Sequence, residues 1–177
     1  MSKVIFSGVA TDKNGLKIIL LRGGPNSGKT TIGRLVRDYL KRAVSIPVNT
    51  FHRFINRSSR TNKGLAFKGV INLSEFFLGL GYSVIIEDVF IFKKSIDLFF
   101  DLGRKINVPV YLFELGVSSE TALNRNRKWG PPLIEARTRK LFELIKQNYD
   151  SRAIKINAED FSVSECADKI FFSLSGR

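Results

Sequence analysis

The feature that most constrains this chain is the segment 23–30, which has glycine at its first and sixth positions and ends in Lys-Thr. It follows an apolar run at 16–21 and precedes a pattern of helical period. In such a strand–GxxxxGK[ST]–helix arrangement, glycines let the backbone curl so that successive N–H groups point at phosphate oxygens. The helix N-terminus adds positive partial charge. The sequence therefore predicts a P-loop that binds a nucleoside triphosphate.

Two side chains of this loop have distinct tasks. Lys29 is expected to reach the β- and γ-phosphates, and Thr30 offers a hydroxyl to Mg²⁺, which prefers oxygen ligands and keeps several of its waters. We therefore expect ATP and Mg²⁺ as cofactors. The predicted nucleotide-binding residues are Gly23, Gly24, Pro25, Asn26, Ser27, Gly28, Lys29, Thr30 and Thr31.

Size and charge narrow the class of protein. The 177 residues suit a single domain, 1–177. Lys and Arg number 29 against 16 Asp and Glu, a formal charge of +13. This excess favours polyanionic partners such as nucleic acid or phosphorylated ligands, with a basic solubilising surface as the alternative. Because Cys166 is the only cysteine and no apolar run reaches transmembrane length, we expect a cytoplasmic protein without a membrane partner.

Strand-like and helix-like patterns alternate after the P-loop. The predicted strands cover 16–21, 44–48, 82–86, 108–113 and 153–156, and the predicted helices cover about 32–42, 73–80, 95–106, 118–125, 131–147 and 163–174. This alternation predicts a three-layer α/β domain with a mostly parallel five-stranded sheet. The segment 3–8 and a turn signal at 12–15 favour an additional N-terminal edge strand.

Two acidic residues, Glu87 and Asp88, follow the third predicted strand. Ligands of open α/β sheets lie beyond the carboxyl ends of the strands, where a P-loop protein holds a carboxylate for the metal shell. We expect one of the two to order a Mg²⁺-bound water, and we assign the metal to Thr30 and Asp88. A solvated acidic turn is the alternative interpretation.

Asn49 follows the second predicted strand, where many P-loop kinases carry an aspartate that accepts the proton of the acceptor hydroxyl. An amide orients a substrate but cannot act as a base. Three explanations stay open: Glu87 or Asp88 takes the proton, the acceptor is already ionised, or phosphoryl transfer is weak or absent. Because the transition state of phosphoryl transfer is loose, a missing base slows the reaction without forbidding it.

Basic side chains come next along the chain. If 51–59 is helical, Arg53, Arg57 and Arg60 share one face that could hold an acceptor phosphate or a nucleic-acid backbone. His52, the only histidine, is expected to be a substrate-contact or structural residue rather than a catalyst.

A second basic group precedes a Gly-Pro-Pro sequence at 130–132. Arg125 and Arg127 in this position are typical of a lid, at about 125–132, that closes over ATP and brings arginines to the transferred phosphoryl group. The alternative is a basic helix C-terminus that complements the helix dipole. Further along, Arg137, Arg139 and Lys140 are predicted to form a solvated face.

Together these residues resemble the small P-loop kinases that group polynucleotide 5′-hydroxyl kinase, chloramphenicol phosphotransferase and the zeta-toxin sugar-nucleotide kinases. The resemblance covers most of 17–174 and is carried by three segments. The P-loop at 23–30 is shared, 84–90 is similar to the third-strand segment of chloramphenicol phosphotransferase, and 119–128 with 132–134 is similar to the lid region of phage-type polynucleotide kinase.

The resemblance implies a nucleoside-kinase-like fold and catalytic positions at Lys29, Asn49, Glu87, Asp88, Arg125 and Arg127, with Asn49 in place of the family's aspartate. By the same analogy, 157–160 lines the nucleotide base. The leading hypothesis is ATP-dependent phosphoryl transfer to a hydroxyl of an anionic acceptor, such as a nucleic-acid 5′ end. The alternatives are a kinase of an antibiotic, sugar nucleotide or nucleoside, and a nucleotide- or nucleic-acid-binding module with degraded catalysis.

Overall fold

A computed structural model of the chain describes residues 15–54, 60–129 and 135–174, and their side chains except those of 60–63 and 128–129. The predicted edge strand at 3–8 and the Gly-Pro-Pro sequence at 130–132 lie outside the described residues. The described elements are β1 (Ile18–Gly23), α1 (Lys29–Tyr39), β2 (Ala43–Pro47), α2 (Val48–Phe54), α3 (Arg60–Gly79), β3 (Ser83–Asp88), α4 (Lys93–Ile106), β4 (Val110–Gly116), α5 (Ser119–Trp129), α6 (Glu135–Gln147), β5 (Ala153–Asn157) and α7 (Val163–Leu174).

The five strands form one parallel sheet in the order β2-β3-β1-β4-β5, which confirms the predicted α/β architecture. β1 lies at the centre, paired with β3 on one side and β4 on the other. Its carboxyl end, where the P-loop begins, is therefore flanked by the ends of two neighbouring strands. Ligands of such sheets lie in this crevice.

Both faces of the sheet are buried, as a parallel sheet with helices on each side requires. Ile18 and Leu20 of β1 pack in the core cluster that α3 and α4 complete on one face. Ile19 and Leu21 alternate with them and pack against α1 and α7 on the other. Because side chains alternate along a strand, this pattern also decides which face each polar residue at the strand ends occupies.

Helix α3 is the largest departure from prediction. It runs for 20 residues, whereas the sequence predicted a helix only at 73–80. Its first turns contain Gly64 and Gly69, which lower helix propensity and weaken the periodic signal. Gly69 has a packing role, since a Cβ there would lie 2.9 Å from the Phe51 ring of α2. The glycine allows the two helices to approach closely.

The strand and helix boundaries around β2 and β3 also differ from prediction. Val48, expected at the end of a strand, is buried and begins α2, so Asn49 lies in the first turn of a helix. β3 extends through Asp88, so Glu87 and Asp88 are the last two residues of the strand rather than a turn after it. Adjacent strand residues point to opposite faces of the sheet.

Local helix-start signals were predicted correctly. The Ser118 hydroxyl accepts a hydrogen bond from the Thr121 N–H at 3.1 Å. Before α7, the Ser162 hydroxyl accepts from the Glu165 N–H at 3.3 Å and the Glu165 carboxylate accepts from the Ser162 N–H at 2.8 Å, forming a capping box. Of the described helices, none is long and apolar enough to span a bilayer.

Candidate active site

The P-loop is shaped by crowding as well as by backbone freedom. Gly28 has φ +91°, a left-handed conformation that side chains rarely adopt, and it leads directly into α1. A Cβ on Gly23 would lie 2.7 Å from the Ser27 hydroxyl, and one on Gly24 would lie 2.2 Å from the Phe142 ring of α6. Glycines therefore let the loop curl tightly between β1 and α6, with Asn26 at its tip in the left-handed region at φ 55°.

Lys29 is folded over the loop. Its ammonium donates hydrogen bonds to the carbonyls of Gly23 at 2.9 Å and Gly24 at 2.7 Å. Burial lowers the pKa of Lys29 to about 8, an effect partly opposed by the negative charges of Asp88 and Glu87. The two carboxylates therefore act electrostatically on the P-loop lysine.

Oxygen ligands for a metal stand around this lysine. Thr30 lies exposed in the first turn of α1. Glu87 is buried, and its Oε2 has no hydrogen-bond partner among the described residues. No group of three or more His, Cys, Asp or Glu side chains in the described part of the chain could hold a metal alone. Mg²⁺ accepts such a sparse set of oxygens because it keeps waters and binds substrate phosphates. These residues therefore fit Mg²⁺ bound together with a triphosphate.

Glu87 and Asp88 are separated by the sheet. Ser45 donates to Glu87 Oε1 at 2.5 Å, and a Cβ on Gly33 of α1 would lie 2.6 Å from the same oxygen, so Glu87 lies beneath α1. Asp88 lines a cavity on the opposite face. The sequence placed both carboxylates beyond the strand, so it did not predict that they lie on opposite faces of the sheet.

A cavity of about 490 Å³ lies beside the P-loop, between α5 and the start of α7. We call it the Arg125 cavity; its lining includes Asn26, Thr31, Ile32, Arg125, Ala158 and Phe161. Of the predicted segment 157–160, Ala158 lines it. Phe161 was not anticipated, although it stands directly before the predicted capping box.

Arg125 is half-buried at this cavity. It donates to the Ala158 carbonyl at 2.9 Å and to the Asn26 carbonyl at 3.4 Å. Asn26 in turn donates to Asn126 Oδ1 at 3.2 Å, so α5 is tied to the P-loop. Arg127 is exposed on α5. The structure thus places Arg125 beside the P-loop and β5–α7 loop, away from Asp88.

A second cavity, of about 220 Å³, lies at the carboxyl end of β3. We call it the Asp88 cavity; its polar lining is Asn49, His52, Asp88, Ser95 and Arg137, and its apolar lining is Phe67, Val89, Ile91, Phe92 and Leu141. It therefore brings together three predicted site residues, Asn49, His52 and Asp88, and adds two polar residues that were not among them, Ser95 and Arg137. The contributing elements are α2, α3, the end of β3 and the loop after it, the first turn of α4, and α6.

The predicted basic face is not assembled at this cavity within the described residues. Arg53 is exposed on α2 and does not line the cavity. Arg60 begins α3, with its side chain outside the description, and Arg57 lies outside the described residues.

Arg137 is exposed, in agreement with the predicted solvated face, and it also lines the Asp88 cavity together with Leu141, one turn later on α6. Arg139 fits the same prediction, since it pairs with Glu135 on the surface at 2.7 Å. The i, i+4 spacing of Arg137 and Leu141 is the signal that could have separated Arg137 from its neighbours.

The turn after Asp88 is strained. Phe90 has φ +47°, which is rare for a bulky residue, and its side chain is fully buried. Its N–H donates to Asp88 Oδ2 at 3.2 Å, and its ring packs against those of Phe67 and Phe99 at 5.9 Å each. Aromatic packing therefore holds the turn that orients the Asp88 carboxylate. Strain of this kind clusters at functional sites.

Helix α6 touches both the P-loop and the Asp88 cavity. The fully buried Arg22 of β1 donates to the carbonyls of Ile145 at 2.9 Å and Asn148 at 2.7 Å, at the C-terminal end of α6. The same guanidinium lies 3.0 Å from Glu114. Charged donors at a helix C-terminus satisfy free carbonyls and the dipole. α6 is thus fixed to the strand that precedes the P-loop.

No protein-family model and no curated protein matches the sequence. Solved structures share its fold. The Mycobacterium tuberculosis APS kinase CysC in complex with AMPPNP and APS has a TM-score of 0.70 at 13% identity, covering 92% of this chain and 98% of that one. A gluconokinase from Sinorhizobium meliloti 1021 has a TM-score of 0.69 at 12% identity, covering 90% of this chain and 91% of that one.

A chain of the Pnkp1/Rnl/Hen1 RNA repair complex has a TM-score of 0.59 at 17% identity, covering 77% of this chain and 47% of that one. At these identities the likeness is one of fold. The chain has the three-layer α/β fold of the small P-loop kinases.

Proposed function

We propose that the chain is an ATP- and Mg²⁺-dependent phosphotransferase that moves the γ-phosphate to a hydroxyl of an anionic acceptor. The observation that carries this proposal is the position of Asp88. Asp88 lies opposite Arg22, the residue before the P-loop, in the pairing of β1 with β3, and its negative charge favours a higher pKa of Lys29. Its side chain lines a separate cavity on the other side of the sheet from α1. A carboxylate between a phosphate-binding loop and an acceptor-sized cavity is what hydroxyl phosphorylation requires.

The donor side follows from the P-loop and the Arg125 cavity. The loop N–H groups and Lys29 hold the triphosphate, and the Arg125 cavity takes the nucleoside. Mg²⁺, when bound, neutralises charge on the β- and γ-phosphates. Thr30 would hold the metal through its hydroxyl. The Glu87 carboxylate, which lies beneath Gly33 one helical turn away and whose Oε2 has no described partner, would order a water of the metal shell. This assignment gives Glu87 the metal role that the sequence gave to Asp88.

The acceptor side follows from the Asp88 cavity. Asp88 accepts the proton of the acceptor hydroxyl, so no base is needed at Asn49. Asn49 and His52, both on α2, form hydrogen bonds with polar groups of the acceptor molecule. Arg127 reaches the transferred phosphoryl group when the lid closes. Since the transition state is loose, Lys29 and the arginines contribute chiefly by neutralising charge.

The identity of the acceptor has two supported versions. The formal charge of +13 favours a nucleic-acid 5′ end. The cavity volume of about 220 Å³ favours a small acceptor such as a sugar or nucleoside, because pockets for drug-sized ligands start near ~300 Å³. The fold neighbours include a gluconokinase and a chain of an RNA repair complex, so their names favour neither version over the other.

The test is transfer of radiolabelled γ-phosphate from ATP to a 5′-hydroxyl oligonucleotide, a nucleoside and gluconate, each in low and high salt. We expect labelled product with at least one acceptor and none with Lys29→Ala. Strong salt inhibition would identify the nucleic-acid version, since phosphate contacts make such binding salt-dependent. ATP binding without transfer to any acceptor would refute the phosphotransferase and leave a nucleotide-binding module.

A further inference from the structure

Arg137 stands apart from the other basic residues near the Asp88 cavity. It is the one Lys or Arg whose side chain lines that cavity in the described part of the chain. No described carboxylate forms an ion pair with it, although Asp88 lines the same cavity. Arg139, two residues later, is already paired with Glu135. Arg137 therefore presents a guanidinium without a described ion-pair partner to the proposed acceptor cavity.

The backbone that carries Arg137 is fixed. Thr138, its neighbour in α6, is buried, and Phe142 packs against Gly24 of the P-loop. Arg22 fastens the far end of the same helix to β1 through the carbonyls of Ile145 and Asn148. Arg137 thus projects from a helix anchored to the phosphate-binding loop.

We propose that Arg137 binds a phosphate group carried by the acceptor, on the same molecule as the hydroxyl that faces Asp88. This inference rests on the proposed phosphotransferase function. The planar guanidinium fork matches two phosphate oxygens at once, with charge-assisted hydrogen bonds. His52 lines the same cavity from α2 and provides a second polar contact. Arg137 is a specificity-determining residue in this scheme.

The cavity lining indicates what carries the phosphate. Phe67, Ile91 and Leu141 form apolar walls that suit a carbon skeleton, while Asn49 and Ser95 offer hydrogen bonds to hydroxyls. The volume of about 220 Å³ favours a single sugar with its phosphate over a larger ligand, because pockets for drug-sized ligands start near ~300 Å³. The acceptor class is therefore a phosphorylated sugar, either free or as the terminal nucleotide of a nucleic acid.

Matched ligand pairs test this inference by calorimetry without ATP. The first pair is adenosine and adenosine 3′-monophosphate, and the second is glucose and glucose 6-phosphate. The third pair is a 5′-hydroxyl dinucleoside with a neutral linkage and the same dinucleoside with its natural phosphodiester. We expect wild type to prefer the phosphorylated member of at least one pair. The pair that shows the preference identifies a free sugar phosphate, a nucleotide or a nucleic-acid end as the source.

Arg137→Gln is expected to weaken binding of the phosphorylated member about 10- to 100-fold, the usual effect of losing hydrogen bonds to a charged group. The affinity of Arg137→Gln for the neutral member should change less than about twofold. The affinity of Arg137→Lys for the phosphorylated member should lie between those of wild type and Arg137→Gln. Arg139→Gln is the matched control and should bind like wild type. Because Arg137 is exposed and has no ion pair among the described residues, its variants should fold.

Three results would overturn the inference: no preference of wild type for any phosphorylated member, equal loss for both members in Arg137→Gln, or no loss. The readout separates this inference from the proposed function. Binding that depends on Arg137 without phosphoryl transfer refutes only the phosphotransferase. Transfer to a phosphorylated acceptor that wild type and Arg137→Gln bind equally well refutes only the role of Arg137.

Discussion

The P-loop and the Asp88 cavity are built in opposite ways. The loop is contiguous, and Gly23, Gly28, Lys29 and Thr30 lie within eight residues of one another. The cavity is discontinuous, and its polar lining extends in sequence from 49 to 137 across several elements. A contiguous site carries its chemistry in local spacing, whereas a discontinuous one depends on topology and on the face to which each side chain points. This difference decides which half of a proposed reaction can be inferred before a structure exists.

The largest expected effect comes from removing the anchor of helix α6, which contacts both regions. Arg22→Met should lower the free energy of unfolding by about 3 kcal/mol, the lower end for breaking a buried charge pair, because Glu114 still reaches some solvent. The freed carbonyls of Ile145 and Asn148 add to the loss. Urea unfolding measures it, with Arg37→Met as control because Arg37 pairs on the surface with Asp38. A change below about 1 kcal/mol would contradict an anchoring role for Arg22.

The next effect isolates the P-loop. Lys29→Ala should lower turnover about 100- to 1,000-fold, the usual loss for one donor to developing charge, and should weaken ATP binding. Steady-state kinetics and calorimetry measure the two quantities. Lys41→Ala is the control, since Lys41 is exposed after α1. Wild-type ATP affinity in Lys29→Ala would show that the loop does not hold the triphosphate.

A pH series tests the same lysine without a mutation. In the protein without nucleotide, burial lowers the pKa of Lys29 to about 8, so the ammonium loses its proton above that pH. Bound triphosphate favours the charged form, so the Kd for ATP should rise by up to about tenfold per pH unit above pH 8. Lys29→Ala should show no such slope. A flat wild-type profile up to about pH 9.5 would contradict a Lys29–phosphate contact.

The smallest expected effect concerns the acceptor side. Asn49→Asp introduces the carboxylate that the resemblance to P-loop kinases leads us to expect after the second strand. Because Asp88 already lines the same cavity, we expect the transfer rate to change less than about threefold, far below the usual contribution of ~100-fold or more from a general base. Initial rates with saturating ATP measure it. A rise of about 100-fold would assign the base to position 49 and leave Asp88 without that role.

Local signals were predictable from the sequence because they lie in adjacent residues. The P-loop pattern, the alternation of strands and helices, and the Ser162 capping box are of this kind, and the parallel sheet and α7 follow them. The separation of Glu87 from Asp88 was not foreseen, because the strand was ended two residues early. Two more strand residues place consecutive side chains on opposite faces.

Other features had no local signal. Phe90 adopts the left-handed region, and rings from α3 and α4 pack against it. The residues next to Phe90 in the sequence do not indicate these contacts. The position of Arg137 at a cavity depends on where α6 packs against the sheet, which Arg22 and Gly24 determine from far away in sequence. The acceptor side therefore required the tertiary structure.

The most direct test of the central claim is the transfer rate of Asp88→Asn with an acceptor identified by the labelling experiment. If Asp88 takes the proton, the rate should fall about 100-fold or more while the Kd for ATP changes little. Asp101→Asn, an exposed carboxylate on α4 paired with Arg104, is the control and should transfer at the wild-type rate. An undiminished rate in Asp88→Asn would contradict the proposed division of the site.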